Sequence, residues 1–343
     1  MPKVDYTPDA DERLELLRME CQGYEKALLD AIIHPGQVNK TFADVHAPTS
    51  TMEAFKDLTM SLIRPDAFKY GILARKKLSG ILIYGLPGTG KTLLVKALAK
   101  SAQFTVIGVS SAEIQQMYVG ESEKCIKAAF SLAHKLKPCI IFIDEADALL
   151  KARKSDSHSY HISQVSQFLH EWDGISSNDE RPVVIAATSR PFDLDDAVLR
   201  RLPQRLLVDV PEATDREAIL KIHLHDEVLD PDVDISALAN ITPSYTGSDL
   251  ENLCVSAALA CVREEIDSAD NARANTSYSE TQGLKETTDV YPPQRVLQMK
   301  HFNIAKGQIS MSIDTEMHHK IKAFHAKYGN KAKNRYLGSC KSS

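Results

Sequence analysis

The sequence predicts an α/β layered domain, a parallel five-stranded sheet flanked by helices, followed by a small all-α domain. Three observations carry this. From about Thr41 to Asp209, short apolar runs alternate with amphipathic helical patterns, the signature of strands and helices packed in layers. One run, Ile140-Ile141-Phe142-Ile143, is apolar without interruption, as a strand buried on both faces of a parallel sheet must be. After Pro211 the pattern turns helical.

The five strands are expected at Gly80–Tyr84, Phe104–Val109, Cys139–Ile143, Val183–Ala187 and Leu206–Val210. Upstream, Leu14, Leu17, Cys21 and Tyr24 share a helical face, predicting a helix from Asp11 to Ile33 that the breaker His34-Pro35-Gly36 ends. The face Ile162, Val165, Phe168, Leu169 and Trp172 reads as core. Downstream, Thr214–Glu217 and Ser248–Glu251 each match a capping box before an apolar run. Leu250, Leu253, Cys254, Ala257, Ala258, Cys261 and Val262 then keep helical spacing. The polar stretch Asp267–Val290 reads as a mobile loop, and helical pattern returns over Val296–Ile309 and Ile313–Tyr328. The expected organisation is a helical segment over 1–38, the α/β domain over 39–211, the small domain over 212–310, and a C-terminal helix with a basic tail over 311–343.

A formal net charge of -5 argues against a nucleic-acid partner, which calls for a basic surplus. The six cysteines are scattered, without a C-x-x-C pair. A disulfide framework is not expected, and an intracellular, reducing compartment is. Cys139, Cys254 and Cys261 read as small core residues. No apolar run approaches the ~20 residues a membrane helix needs, and the acidic N-terminus does not read as a signal or transit peptide. His158 and His161 lack a cysteine or carboxylate cluster that would complete a metal site.

Gly85-Leu86-Pro87-Gly88-Thr89-Gly90-Lys91-Thr92 fits G-x-x-x-x-G-K-[ST] between a strand and a helix, the context that separates a phosphate loop from a chance glycine-rich turn. Its backbone amides and the helix start favour anionic oxygens. Gly85, Pro87, Gly88, Thr89, Gly90, Lys91, Thr92 and Leu93 are therefore assigned to ATP, with Lys91 reaching the β- and γ-phosphates and Thr92 binding Mg²⁺. Ile141-Phe142-Ile143-Asp144-Glu145 alone could be a strand running into an acidic helix cap. Paired with the loop it reads as the Walker B strand, Asp144 holding Mg²⁺ and Glu145 acting as general base on the attacking water.

These ordered motifs resemble the AAA ATPase family, within it the branch of katanin, spastin and the mitochondrial outer-membrane protein extractors, over about Phe42 to Ile309. Phe130–Pro138 and Glu171-Trp172-Asp173-Gly174 are most similar to the extractor group. The resemblance implies further roles. Ala186–Pro191 matches the sensor strand, with Ser189 where the family usually has Asn. Arg200 and Arg201 match arginine fingers that reach a neighbouring subunit's ATP. Gly247 and Ser248 match the lid motif, Asp44 and Val45 the segment bordering adenine, and Leu86 replaces a usual Pro. Tyr118, Val119 and Gly120 match the first pore loop, although spacing alone would read Tyr118 as an ordinary packed residue. Lys151–His161 resembles a second pore loop.

The expected function is an ATP-hydrolysing ring, a homo-hexamer, that threads, unfolds or extracts polypeptide substrates through a central pore. By resemblance its place is the cytosol-facing mitochondrial outer membrane or the mitochondrion. A filament-severing ATPase, a low-turnover nucleotide-gated scaffold and a DNA-acting motor are the competing readings.

Overall fold

The structure, a computed structural model, describes residues 19–21, 23–29, 31–33, 35–36, 38, 40–46, 51, 53–55, 57, 60, 64–68, 70–72, 80–102, 104–110, 121–136, 139–153, 159–173, 182–276 and 294–329. They fall into two compact units, one of residues 1–87, 91–208 and 316–343, the other of residues 88–90 and 209–315.

The first unit is built on a six-stranded sheet. Its strands are β1 (Ile32–Ile33), β2 (Gly80–Tyr84), β3 (Thr105–Ser110), β4 (Cys139–Asp144), β5 (Val183–Thr188) and β6 (Gln204–Leu207). They lie in the order β1-β3-β4-β5-β2-β6. The five expected strands are present and mutually parallel, although β6 begins two residues earlier than expected and ends at Leu207 rather than Val210. The sixth, β1, pairs antiparallel with β3 through Ile32–Ile107 and Ile33–Val106. It lies where the sequence predicted helix. Among the described residues of this region, Met19 and Glu20 are helical and α1 spans Tyr24–Leu28, while residues 11–18 lie outside the described part. Ile32 and Ile33 are β-branched residues just ahead of the His34-Pro35-Gly36 breaker, and two such residues suffice to close a sheet edge.

Helices α2 (Lys91–Ala102), α3 (Glu121–Lys135), α4 (Ala146–Leu149), α5 (Ser159–Asp173) and α6 (Asp196–Arg201) connect the strands. Ile140, Ile141 and Ile143 are fully buried, each contributing about 1.5–3 kcal/mol relative to exposure. On α5, Val165, Phe168 and Trp172 are buried as predicted, but Ile162 is exposed and Leu169 only half-buried. The apolar face of α5 is therefore narrower than the sequence suggests. At Gly80 a Cβ would lie 2.6 Å from the Arg201 carbonyl oxygen, so only glycine lets α6 end this close to the sheet.

The second unit gathers a separate core on α7 (Ala213–His223), α8 (Ile235–Ile241), α9 (Gly247–Thr276) and α10 (Met299–Gln308). It is not wholly helical: β7 (Val228–Leu229) pairs parallel with β8 (Val296–Leu297), so Val296 opens a strand rather than a helix. Both capping boxes sit two residues earlier than predicted. Helix α7 is capped by Glu212 and Asp215. At the start of α9 the Thr246 amide donates to Asp249 Oδ2 at 2.9 Å, and the Asp249 amide donates to Thr246 Oγ1 at 3.2 Å. Asp249 is buried and also accepts the Ser312 hydroxyl at 3.0 Å, which fixes it as the capping carboxylate in place of Glu251. The predicted loop is corrected too, because α9 continues to Thr276. Residues 277–290 lie outside the described part. Cys254 and Cys261 are buried in this core, and Cys139 in the first. Burial pushes the Cys254 thiol up to about 12.

The final helix, α11 (Thr315–Tyr328), returns from residue 316 onward to the first unit.

Candidate nucleotide site

The loop after β2 places its lysine by turning the chain back over the strand end. Lys91, the first residue of α2, is buried. Its Nζ donates to the Gly85 carbonyl at 3.0 Å, the Leu86 carbonyl at 2.8 Å and Ser189 Oγ at 3.3 Å. All three acceptors are neutral, and among the described residues no carboxylate pairs with this ammonium. Burial pushes its pKa down to about 8, against the opposing pull of Asp144 and Asp147. A buried cation with no carboxylate in direct contact is costly, and an anionic ligand at the loop would lower that cost. Gly88 and Gly90 hold φ of 76° and 92°, a region that disfavours side chains.

Next along α2, Thr92 Oγ1 donates to Asp144 Oδ2 at 2.7 Å. This brings together the two residues expected to share Mg²⁺. Hard oxygen donors of this kind suit that ion, which takes one or two protein ligands and completes its shell with water and phosphate. Among the described residues no group of three or more His, Cys, Asp or Glu side chains is arranged to hold a metal unaided. Leu93 is half-buried on the same turn. Asp144 Oδ1 accepts the Glu145 amide at 3.0 Å. Glu145 itself stands at φ 50° and is exposed, a left-handed backbone conformation that is uncommon for a residue with a side chain.

Strand β5 brings up Thr188 and Ser189. The buried Thr188 hydroxyl donates to Asp147 Oδ1 and accepts the Arg190 amide at 2.9 Å. Sequence reasoning missed both Asp147 and Thr188. The signal available was the second aspartate in Asp144-Glu145-Ala146-Asp147, three residues on from the first. Asp44 closes a capping box with Thr41, whose amide donates at 2.6 Å. That bond holds its carboxyl below the ordinary range. Val45 packs on the core around β2 and β4. In the second unit Gly247 and Ser248 open α9, and the Ser248 amide donates to the Gly88 carbonyl at 3.1 Å.

Residues 81–210 match the model of the ATPase family associated with various cellular activities (AAA), and residues 232–274 that of the AAA+ lid domain. The outer mitochondrial transmembrane helix translocase of Homo sapiens is 37% identical over 270 residues, 78% of this chain and 75% of that one. The chain belongs to the AAA ATPase family. Spastin of Drosophila mojavensis is 38% identical over 250 residues, 71% of this chain and 32% of that protein. A crystal structure of the FIGL-1 AAA domain in complex with ADP superposes with a TM-score of 0.71 at 27% identity, covering 96% of this chain and all of that one.

In this AAA ATPase the two candidate finger arginines have different surroundings. Arg200 is exposed and makes no hydrogen bond or ion pair among the described residues. Arg201 is held by a fork of bonds to Asp173, with Nε to Oδ1 at 2.9 Å, and donates Nη1 to the Ala197 carbonyl at 2.9 Å. Helix α6, which carries both, is capped by the buried Asp195, whose Oδ1 accepts the Ala197 amide at 2.8 Å. Asp195 also binds Arg153 Nε at 2.9 Å. Burial alone would raise the Asp195 carboxyl. Arg153 and the Ala197 amide outweigh it and hold the group low. Tyr118, Val119 and Gly120 lie outside the described residues, as do 154–158 of the second loop, while Ser159–His161 begin α5. No helix among the described residues is long and apolar enough to cross a membrane.

Proposed function

We propose that this AAA ATPase hydrolyses Mg·ATP at Lys91, Thr92, Asp144 and Glu145, assembles as a hexameric ring, and draws polypeptides through a central pore. The observation that carries the reading is the buried Lys91 ammonium, bonded to neutral oxygens, beside the Thr92–Asp144 pair. Lys91 would supply positive charge to the β- and γ-phosphates, with backbone amides of the glycine-rich turn as further donors. Thr92 and Asp144 would hold Mg²⁺, whose charge would offset that developing on the phosphate oxygens. Glu145 takes the proton of the attacking water, and the Ser189 hydroxyl orients that water. Arg200 and Arg201 act on the ATP of a neighbouring copy. Tyr118 and Val119 grip an extended chain by apolar contact, without reading its sequence.

The relatives named as translocases of transmembrane helices suggest the substrate class, apolar helical segments, and the place of action, the outer mitochondrial membrane. The Tyr118→Ala variant is expected to hydrolyse ATP near the parent rate and to lose extraction of a transmembrane-helix substrate from liposomes. Equal extraction by parent and variant would end the threading mechanism. The similarity to spastin favours severing as the second reading. A filament-severing assay separates the two, because only a severing enzyme shortens the polymer.

The depressed Lys91 pKa gives the site a pH signature. Phosphate binding favours the charged ammonium, so bound nucleotide raises this pKa from about 8. Protons are then taken up on binding wherever the pH exceeds the free-state value. The Kd for Mg·ATP is expected to be flat up to about pH 8 and to rise up to about tenfold per pH unit above it. Titrations with a fluorescent nucleotide between pH 6.5 and about 9.5 check this. A Kd that is flat throughout, or improves at high pH, contradicts the assignment.

A further inference from the structure

Helix α11 meets the nucleotide-site strand directly and reaches the arginine-bearing helix through Arg205. Tyr84, the last residue of β2 and the neighbour of Gly85, is fully buried. Its hydroxyl is hydrogen-bonded to His325 Nδ1 at 2.7 Å. Its ring packs edge-on against Phe324, with centroids 5.2 Å apart. The Tyr84 carbonyl accepts the Val208 amide at 2.8 Å, and the next carbonyl, that of Gly85, accepts Lys91 Nζ. A short path thus runs from His325, through its hydrogen bond to Tyr84 and one peptide link, to the acceptor that places the lysine. Gly329, just beyond α11, leaves room for this ring, since a Cβ there would run into His325 Nδ1.

The second contact is made by Arg205 on β6. Its guanidinium donates to the Tyr328 carbonyl at 3.1 Å and stands 5.5 Å over the Tyr328 ring. The same group donates to the carbonyls of Leu199 at 2.6 Å and Leu202 at 3.2 Å. Those carbonyls flank Arg200 and Arg201 at the end of α6. One planar fork therefore ties the end of α11 to the segment that carries both arginines, a geometry that lysine cannot reproduce.

We propose that α11 is a positioning strut for ATP turnover, with His325 setting the phosphate loop through Tyr84 and Tyr328 setting the arginine helix through Arg205. The proposal rests on the reading of Lys91 as a nucleotide-site residue. Neither His325 nor Arg205 touches substrate in this scheme; both act through other residues. The two arms have separable kinetic signatures. Disturbing the Tyr84 arm shifts the acceptor of Lys91 and weakens nucleotide binding. Disturbing the Arg205 arm shifts the arginines and slows the chemical step.

The test uses the full chain, with Kd from methylanthraniloyl-ADP fluorescence and kcat from steady-state ATP turnover, at a temperature where every variant remains folded. Tyr84→Phe keeps the ring and removes the hydroxyl. His325→Leu leaves that buried hydroxyl without its partner. Each is expected to raise Kd about tenfold, with the double variant no worse than the single ones. His325→Asn, which returns a polar atom near the position of Nδ1, is expected to restore Kd. Arg205→Lys is expected to lower kcat about tenfold at unchanged Kd. Parental Kd in both Tyr84→Phe and His325→Leu would overturn the first arm, as would a loss that His325→Asn does not restore. Parental kcat in Arg205→Lys would overturn the second. Retention of nucleotide binding by Lys91→Ala would instead defeat the site reading itself.

Discussion

Replacing Glu145 by Gln is expected to leave Mg·ATP binding intact and to slow hydrolysis by about 10²–10⁴. Two features make the binding half of this expectation firm. The Thr92–Asp144 hydrogen bond at 2.7 Å and the Lys91 contacts do not involve the Glu145 side chain. The Glu145 contribution to Asp144 is its backbone amide, at 3.0 Å, which Gln also supplies. The left-handed φ of 50° costs a Gln no more than a Glu, since neither is branched at Cβ. What changes is proton affinity: an amide cannot accept a proton from water at neutral pH. Equilibrium binding of a fluorescent nucleotide together with single-turnover hydrolysis measures both halves. Parental hydrolysis by the variant would remove Glu145 from the reaction, and lost binding would mean that its side chain holds the site together.

Much of the site was legible because its residues sit at fixed offsets within two short motifs. A glycine-rich turn between an apolar strand and a helix has few structural alternatives, and an acid at the end of a fully apolar strand has few as well. Parallel order placed the ends of β2, β4 and β5 side by side, so the three segments meet as the alternating pattern implied. The contacts that hold the arrangement from outside were not legible. Tyr84 and His325 are 241 residues apart, and no periodicity marks such a pair. Asp147 and Thr188 are bound across 41 residues and read individually as a helix acid and a strand threonine.

The misplaced elements have separate causes. Strand β1 and the β7–β8 pair each have two-residue strands, below the length at which alternation can be recognised. Both capping boxes shifted because several Ser, Thr, Asp and Glu residues crowd each helix start. Tertiary contacts then decided between them, as the Ser312 hydroxyl does at Asp249. The polar surface of α9 after Asp267 resembles a loop in composition. It stays helical because Ala269 is buried on that helix and because propagation from an established helix needs no new nucleation.

Arg200→Ala is expected to bind Mg·ATP as the parent does and to turn it over about 10³–10⁵-fold more slowly. Arg201→Ala is expected to lose less. The difference follows from their surroundings. Arg200 is exposed and unengaged among the described residues, so its guanidinium is available to an adjoining copy without breaking any contact. Arg201 must first leave Asp173 and the Ala197 carbonyl. Its pair with Asp173 is solvent-screened, with side chains 29% and 49% exposed, so release costs only about 0–1 kcal/mol. That is enough to rank the two arginines but not to lock Arg201 in place. Mixing two inactive variants tests whether the arginine works between copies. A Glu145→Gln subunit lacks its base but presents a normal Arg200, while an Arg200→Ala subunit keeps its base and lacks the finger. In a head-to-tail ring assembled from equal amounts, about a quarter of the sites combine a working base with a working arginine from the neighbour. Turnover should therefore reappear on mixing, in proportion to those sites. If the mixture stays as inactive as its components, Arg200 does not act on a neighbour's nucleotide.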